Sequence, residues 1–197
     1  MFNRVTIVLI LCCLSLFGCK RNAQNYEPKT DTTYASEMTT GRIEDYGCYY
    51  AAEGLPQHVF ALDLYSDGLQ LIDSVYGQDT ITLMVGSGTN LYFSDVFLPD
   101  SLNTLEGGTY RADTTGAPFT FLPGKTFEGN FTGAYLLRVE QGKLLSHAIL
   151  PSGSITLSYS GDTINMQFAG KISERQNYSA TFSGILKTQK RNERRHL

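Results

Sequence analysis

The sequence contains no tryptophan, three histidines and four cysteines, and three of the cysteines lie between residues 12 and 19. The absence of tryptophan argues against a carbohydrate-binding surface built on indole rings, although 12 tyrosines and 11 phenylalanines are present. No segment shows capped, 3.6-residue periodicity over three turns, which argues against a helical fold. What the sequence does carry is an apolar N-terminus and a long series of segments in which apolar and polar residues alternate.

Catalytic and metal-binding motifs are also missing. His58, His147 and His196 form no His-x-His or His-Glu-x-x-His pattern, and the chain has no Gly-x-Ser-x-Gly motif or phosphate loop. We therefore predict no catalytic residue, no metal ligand and no cofactor. His58 and His147 could still meet in space. Because a Ser–His–Asp triad is defined by geometry and not by chain order, an accessory or cryptic hydrolase stays open as an alternative.

Two carboxylates in "LDLYSDG", Asp63 and Asp67, offer too few oxygen ligands for a calcium loop and indicate a turn. Asp63 sits between Leu62 and Leu64 in a predicted strand. Alternation along a strand places neighbouring side chains on opposite faces, so we expect Asp63 to face solvent.

The N-terminus has the pattern of a secretory signal. Residues 1–4 carry one cation, Arg4, and residues 5–17 form an apolar run of 13 residues. Such a run spans about 20 Å as a helix, which is too short for a hydrocarbon core of about 30 Å. We predict that residues 1–18 are a signal peptide.

The stretch Leu16-Phe17-Gly18-Cys19 resembles the bacterial lipobox, with Phe17 bulkier than the usual residue at its position. The resemblance implies that Cys19 becomes the first residue of the mature chain, with a diacylglycerol thioether and a palmitate-type acyl group on its amine. Several acyl chains anchor a protein stably to a membrane without a spanning segment. Cys12 and Cys13 would be removed with the signal peptide. Cys48 would then be the only free thiol, without an intramolecular disulfide partner.

Composition divides the mature chain into three parts. Residues 19–41 are polar and nearly free of aliphatic side chains, which predicts a flexible tether after the lipidated cysteine. Residues 42–187 form the single predicted domain. Residues 188–197 form a basic tail, interpreted as solvated or, alternatively, in contact with anionic headgroups.

The domain is predicted to be all-β. Segments such as "SITLSYS", "DTINMQF" and "NYSATFSGIL" alternate apolar and polar residues, as half-buried antiparallel strands do. Turn signals at Ser160-Gly161-Asp162 and Gln141-Gly142 predict two hairpins. Further candidate strands are residues 58–65, 69–75, 80–85, 90–98, 108–113, 118–122, 132–140 and 143–150. The fold expected is an antiparallel sandwich or a calycin-like barrel of about 8–11 strands.

Several short segments resemble those of small all-β outer-membrane lipoproteins from Bacteroides-like bacteria. Besides the lipobox, these are "TNLYFSDVFLP", "LEGGTYRAD", "FTFLPG", "GAYLLRVE", "GSITLSYSGDTINMQF" and "YSATFSGIL". The resemblance implies an envelope location and an all-β fold, and it supplies no catalytic residues. Surface-exported lipoproteins of this lineage carry acidic residues after the cysteine, whereas Lys20 and Arg21 follow Cys19 here. The chain is thus expected to face the periplasm, with the cell surface as the alternative.

Three functional interpretations stay open. The first is a non-enzymatic, envelope-anchored module that binds an envelope protein or a small ligand. The second is a calycin-like carrier of a small apolar ligand, and the third is the hydrolase considered above. The membrane is the partner implied by the lipid anchor. With a net charge of −3, the chain is not expected to bind nucleic acid.

One pattern is more frequent than chance. Asp followed by Ser or Thr and then Thr or an aliphatic residue occurs six times, and it resembles the O-glycosylation acceptor of Bacteroides-like bacteria. Turn chemistry explains the same pattern equally well. The possible acceptors are Thr32, Ser74, Thr80, Ser101, Thr114 and Thr163.

Overall fold

The computed structural model describes residues 31–76 and 79–191, without the side chains of residues 73, 75, 76, 79–82 and 127. The predicted signal peptide and Cys19 lie outside the described residues. The described part is all-β, as predicted, with one short 3-10 helix at Ala51–Glu53. None of its helices is long and apolar enough to cross a membrane. The strands are β1 (Thr32–Gly47), β2 (His58–Ser66), β3 (Leu69–Tyr76), β4 (Asp79–Gly86), β5 (Gly88–Leu98), β6 (Gly108–Ala112), β7 (Thr120–Phe121), β8 (Lys125–Phe127), β9 (Asn130–Thr132), β10 (Ala134–Glu140), β11 (Lys143–Ile149), β12 (Ser152–Ser160), β13 (Thr163–Ser173), β14 (Gln176–Gly184) and β15 (Lys187–Lys190).

Eight strands close into a barrel. They follow the order β5, β2, β1, β14, β13, β12, β6, β7, and β7 pairs back onto β5. The closing contact is short, joining Val96 to Phe121 and Phe97 to Thr120. Of the two predicted architectures the structure therefore has the barrel. It differs from a wholly antiparallel sheet, because β1 pairs with β14 and β6 pairs with β7 in parallel.

The remaining strands lie outside the ring. β10 pairs with the first half of β5, and β11 extends the sheet beyond β10. β15 pairs with β1, while β3–β4 and β8–β9 form separate two-stranded sheets. The predicted hairpins at residues 141–142 and 160–162 are confirmed as the β10–β11 and β12–β13 turns.

The barrel interior is filled by large apolar side chains. On β13, Ile164, Met166 and Phe168 point inward and are at most 5% exposed, as the period-two pattern predicts. The Phe93 ring packs edge-on against Phe168, with ring centroids 5.3 Å apart. Each such side chain contributes about 1.5–3 kcal/mol through burial. The side chains that fill an eight-stranded barrel leave little room for a ligand.

A second apolar cluster covers the outer face of β2, β5 and β10. It contains Val59, Ala61, Tyr65, Tyr92 and Tyr135, all buried. Leu69 and the partly buried Leu71 and Met84 pack against this face from the β3–β4 hairpin. Both faces of β2 are consequently inaccessible to solvent.

The domain starts earlier than predicted. The predicted tether runs to residue 41, but strand β1 begins at Thr32 and pairs in parallel with β14, Thr32 opposite Gln176. The predicted basic tail likewise begins inside β15, which pairs with residues 42–45 of β1. Both segments are polar, and each forms a strand because it pairs with a segment more than 140 residues away in the sequence. Composition alone therefore misassigned residues 32–41 and 188–190.

Candidate functional site

A cavity of about 700 Å3 lies at one end of the barrel and is here called the end cleft. One wall consists of residues 34–36 of β1 with neighbouring positions on β13 and β14, and the other of residues 87–89 with the β10–β11 hairpin. The cleft exists because β2 ends at Ser66, opposite Met38, while β1 continues back to Thr32.

β2 ends in a tight turn with specific hydrogen bonds. Gly68 adopts a φ of 83°, which favours glycine, and its carbonyl accepts a 3.0 Å hydrogen bond from the Ser87 amide. The Ser66 hydroxyl accepts a 2.8 Å hydrogen bond from the Thr89 amide. Ser87 Oγ accepts a 2.9 Å bond from the Gln141 amide. These bonds direct the chain out into the β3–β4 hairpin and fix one rim of the end cleft.

The lining of the end cleft is chemically mixed. Its apolar part comprises Leu136, Ile172 and the buried ring of Tyr178, whose pKa burial raises to about 12. Its charged groups are Arg138 and Glu140, one of each sign, so the site has little net charge. Polar positions are contributed by Ser36, Ser146 and Gln176. This combination suits a ligand with both apolar and hydrogen-bonding groups.

A buried ionic cluster lies on the outer face of the sheet, away from the end cleft. Arg42 contacts Asp63 at 2.8 Å and Glu44 at 3.3 Å. Glu44 is fully buried and also binds Arg191 at 3.1 Å and the Tyr46 hydroxyl at 2.8 Å. Because every carboxylate in this cluster has a cationic partner, its geometry is that of a structural network that holds the C-terminal segment to β1.

The pKa shifts in this cluster follow from burial and charge. Burial raises the pKa of Asp63, although Arg42, Tyr65 and Asn90 each oppose the shift. Burial would lower the pKa of Arg42, but the electrostatic influence of Asp63, the Tyr65 hydroxyl and Glu44 outweighs it and raises that pKa. Burial and the adjacent Glu44 raise the pKa of Tyr46 to about 12.

The expectation that Asp63 faces solvent is wrong. Its side chain points outward from the barrel, as alternation requires, but that face is covered and Asp63 is 3% exposed. Asn90 donates a 2.8 Å hydrogen bond to Asp63 Oδ1, and Arg42 binds Oδ2. A carboxylate flanked by leucines is here the partner of a partly buried arginine on the adjacent strand.

The histidines occupy separate environments. His58 is buried, contacts Asp45 at 2.6 Å and stacks on Phe60 with ring centroids 4.6 Å apart. Within the described residues no serine, threonine or cysteine hydrogen-bonds to His58, so the pair lacks a nucleophile. His147 is exposed at the end cleft and packs on the Phe131 ring at 4.3 Å. In the same residues, no group of three or more His, Cys, Asp or Glu side chains could hold a metal ion.

The predicted modification sites differ in their exposure and in whether the structure describes them. Cys19 is outside the described residues. Thr32, Ser101 and Thr114 are exposed, Ser74 and Thr163 are partly exposed, and Thr80 lies in β4 with its side chain outside the described part. Cys48 is a free, exposed thiol. Glycosylation therefore stays a prediction for all six positions.

The end cleft itself was not predicted. Its residues 34–36 fall in the predicted tether, and the other wall combines segments that are far apart in sequence. The one local signal is the alternation that places Tyr34, Ser36 and Met38 on one face of a strand, with the large side chains of Tyr34 and Met38 at its two ends.

No protein-family model, curated protein sequence or solved structure matches this chain. The fold and the geometry of the end cleft are thus the basis for any functional conclusion.

Proposed function

We propose that the protein is an envelope-anchored, non-enzymatic binding module of the Bacteroides-like lipoprotein type, with the end cleft as its binding site. The observation that carries the binding role is a cavity of about 700 Å3 with mixed apolar and polar lining. That volume lies within the range of about 300–1,000 Å3 typical of ligand sites.

Two features favour this role over a carrier of a small apolar ligand. Phe60, Phe93 and Phe121 fill the barrel centre and are fully buried, where a calycin-like carrier would hold its ligand. The end cleft, in contrast, presents Arg138, Glu140 and several hydroxyl groups, which an entirely apolar ligand would leave without hydrogen bonds.

The hydrolase alternative has weaker support. The buried His58–Asp45 pair resembles the orienting half of a triad, but the third member is missing from the described residues around it. The carboxylates of the ionic cluster are engaged in ion pairs and hydrogen bonds on a covered face.

Ligand binding at the end cleft can be tested by a fragment screen against the full chain in detergent micelles, with methyl NMR as the readout. Ile172 lines the end cleft, and Ile185 lines a smaller cavity at the opposite end of the barrel, so it is the matched control. We expect binders with both apolar and hydrogen-bonding groups to shift the Ile172 methyl signal and leave Ile185 unchanged. Binders that shift only the Ile185 signal would contradict the proposal, and so would the absence of any binder.

The anchor is tested separately. The lipobox predicts that a labelled fatty acid is incorporated into the wild-type chain and that the protein fractionates with membranes. Cys19→Ala should remove the label and leave the precursor uncleaved, while Cys48→Ala should retain both label and cleavage. Labelling that persists in Cys19→Ala would show that the lipid is attached elsewhere or that no lipobox operates.

A further inference from the structure

Within the part of the chain that the structure describes, the end cleft contains a strand position in the barrel wall that no segment fills. β2 lies between β1 and β5, so these two strands are about 9.5 Å apart, which is two interstrand spacings. Beyond Ser66, β2 no longer separates them, although β1 continues for residues 32–37. The resulting slot is one strand wide and lies directly beside the cavity.

One side of the slot offers unused backbone groups. In a parallel ladder, alternate residues direct both their N–H and C=O groups towards the same neighbour. The Thr32 amide donates to the Arg175 carbonyl of the β13–β14 turn at 3.0 Å, so the even-numbered residues of this segment face β14. Thr33, Ala35 and Glu37 therefore face the slot, and among the described residues no strand pairs with them.

On the other side of the slot, the amides of Ser87 and Thr89 already have hydrogen-bond acceptors. The Ser87 amide donates to Gly68, and the Thr89 amide donates to the Ser66 hydroxyl. Any segment entering the slot would consequently pair with β1 alone, using the amides of Thr33, Ala35 and Glu37 and the carbonyls of Thr33 and Ala35. A pairing of this length needs about five or six residues in extended conformation, or roughly 17–20 Å at 3.3 Å per residue.

Side chains below the slot determine what the segment must look like. Cross-strand neighbours share a face of the sheet, so alternate residues of an inserted strand would point into the end cleft beside Tyr34 and Ser36. There they would meet Leu136, Ile172 and Tyr178. The slot is bounded on both sides, which excludes the edge of a second folded sheet and admits a single unfolded segment.

We infer that the end cleft binds an extended segment of a partner polypeptide by strand addition to residues 33–37 of β1. The segment carries apolar side chains at alternate positions and little net charge, since Arg138 and Glu140 balance each other at the rim. This inference rests on the proposed function and names the class of ligand for the same site.

Amide hydrogen exchange in the full chain, purified in detergent, tests the free edge. The amides of Thr33, Ala35 and Glu37 should exchange at least tenfold faster than those of Tyr34 and Ser36, which face β14 and are internal controls. Slow exchange at all five positions in the free protein would show that this chain already covers the edge, and would overturn the inference.

The ligand class is tested with a random 12-residue peptide library selected on the same full-length protein. The tightest-binding peptide should slow exchange at Thr33, Ala35 and Glu37 and shift the Ile172 methyl signal. Two N-methylated versions of that peptide form a matched pair. Methylation of alternate amides on the edge facing β1 should weaken binding at least tenfold, while methylation of the other edge should change it less than threefold.

Variants of the protein complete the test. Ala35→Pro removes the central donor of the free edge and should weaken peptide binding at least tenfold more than Ala35→Val, which retains the donor. If Ala35→Pro does not fold, the N-methylated peptides decide the question alone, because they leave the protein unchanged. Equal binding of both methylated peptides would overturn strand addition.

Two further outcomes separate this inference from the proposed function. If fragments shift Ile172 but no library peptide binds, the end cleft is a binding site and the peptide assignment is wrong. A concentration-dependent dimer that protects Ala35 would show that a second copy occupies the edge, and would also overturn the assignment. If neither fragments nor peptides bind at Ile172, the proposed function fails as well.

Discussion

The two faces of β2 are both buried but are built from different chemistry. Towards the barrel interior, Phe60, Leu62 and Leu64 are at most 1% exposed and pack among other apolar side chains. On the outer face, Ala61 and Tyr65 share the covered surface with Asp63, which is held by Arg42. The inner face gains stability from apolar burial alone, whereas the outer face also depends on every charge having a partner.

This difference predicts how each face responds to mutation. A large-to-small substitution inside the barrel loses transfer free energy and creates a cavity, at any pH. Removal of one charge from the outer face leaves its partner buried and unpaired, and the cost then depends on the protonation of that partner. The following predictions compare the two faces, from the largest expected effect to the smallest.

The largest effect is expected in the barrel interior. Phe168 contacts the rings of Phe93, Phe121 and Tyr178, and it is 2% exposed. Phe168→Ala should lower the free energy of unfolding by about 3–5 kcal/mol. Urea unfolding measures the change, with Gln167→Ala on the exposed face of the same strand as the control, expected within about 0.5 kcal/mol. A loss below about 1 kcal/mol would show that the interior is loosely packed.

On the outer face, Arg42→Met should cost about 3 kcal/mol at pH 7.5, because it leaves Asp63 and Glu44 without their shared cation. Loss of Arg42 removes an influence that lowers the Asp63 pKa, so the folded-state pKa rises further above its unfolded value. A raised carboxyl pKa contributes stability below the unfolded value, about 3.9, and this contribution is lost as pH rises through the folded pKa.

The cost of Arg42→Met should accordingly be smaller at pH 4.5 than at pH 7.5, while that of Phe168→Ala should be the same at both. Paired urea titrations at the two pH values give this comparison. Lys171→Met, which replaces an exposed cation, controls for the change in net charge. A cost of Arg42→Met that does not vary with pH would mean that Asp63 does not take up a proton when its cation is removed.

These contrasts also show what could be predicted from the sequence. Alternation was sufficient to predict β12, β13 and β14 from "SITLSYS", "DTINMQF" and "NYSATFSGIL". One face of each strand meets the core and the other meets solvent. The same rule failed for Asp63, because the burial of its face and its contacts with Arg42 and Asn90 on neighbouring strands are tertiary features. A covered outer face has no signature within the strand that lies under it.

Barrel closure and the end cleft could not be predicted from local sequence patterns, because both depend on contacts between distant segments. The choice between barrel and sandwich depends on two residue pairs that join β5 to β7, and no local pattern encodes them. The N-terminal half of β1 is polar enough to resemble a linker, and it becomes a strand through β14, about 144 residues further along the chain. The end cleft is formed where these two long-range features meet.

An intermediate effect is expected for the hydroxyl that completes the ionic cluster. Tyr46→Phe removes the 2.8 Å hydrogen bond to the buried Glu44 and should cost about 1–3 kcal/mol. The folded-state pKa of Tyr46 is raised to about 12, so its stabilising contribution is present below about pH 10 and is lost towards pH 12. The variant should therefore lose less stability than the wild type between pH 9 and pH 11. Tyr34→Phe, on an exposed ring, is the matched control.

The smallest effect is expected at Cys48, which lies just beyond the end of β1 and belongs to neither buried face. Cys48 is exposed and follows Gly47, whose positive φ of 61° terminates the strand. Because the thiol contributes nothing to either cluster, Cys48→Ser should change the free energy of unfolding by no more than about 0.5 kcal/mol. In the native full-length protein, a thiol reagent should modify one cysteine per mature chain rapidly, since Cys19 would be blocked by lipid. The Cys48→Ser variant should show no rapid reaction; a thiol that still reacted would identify a free Cys19 and contradict the lipid anchor.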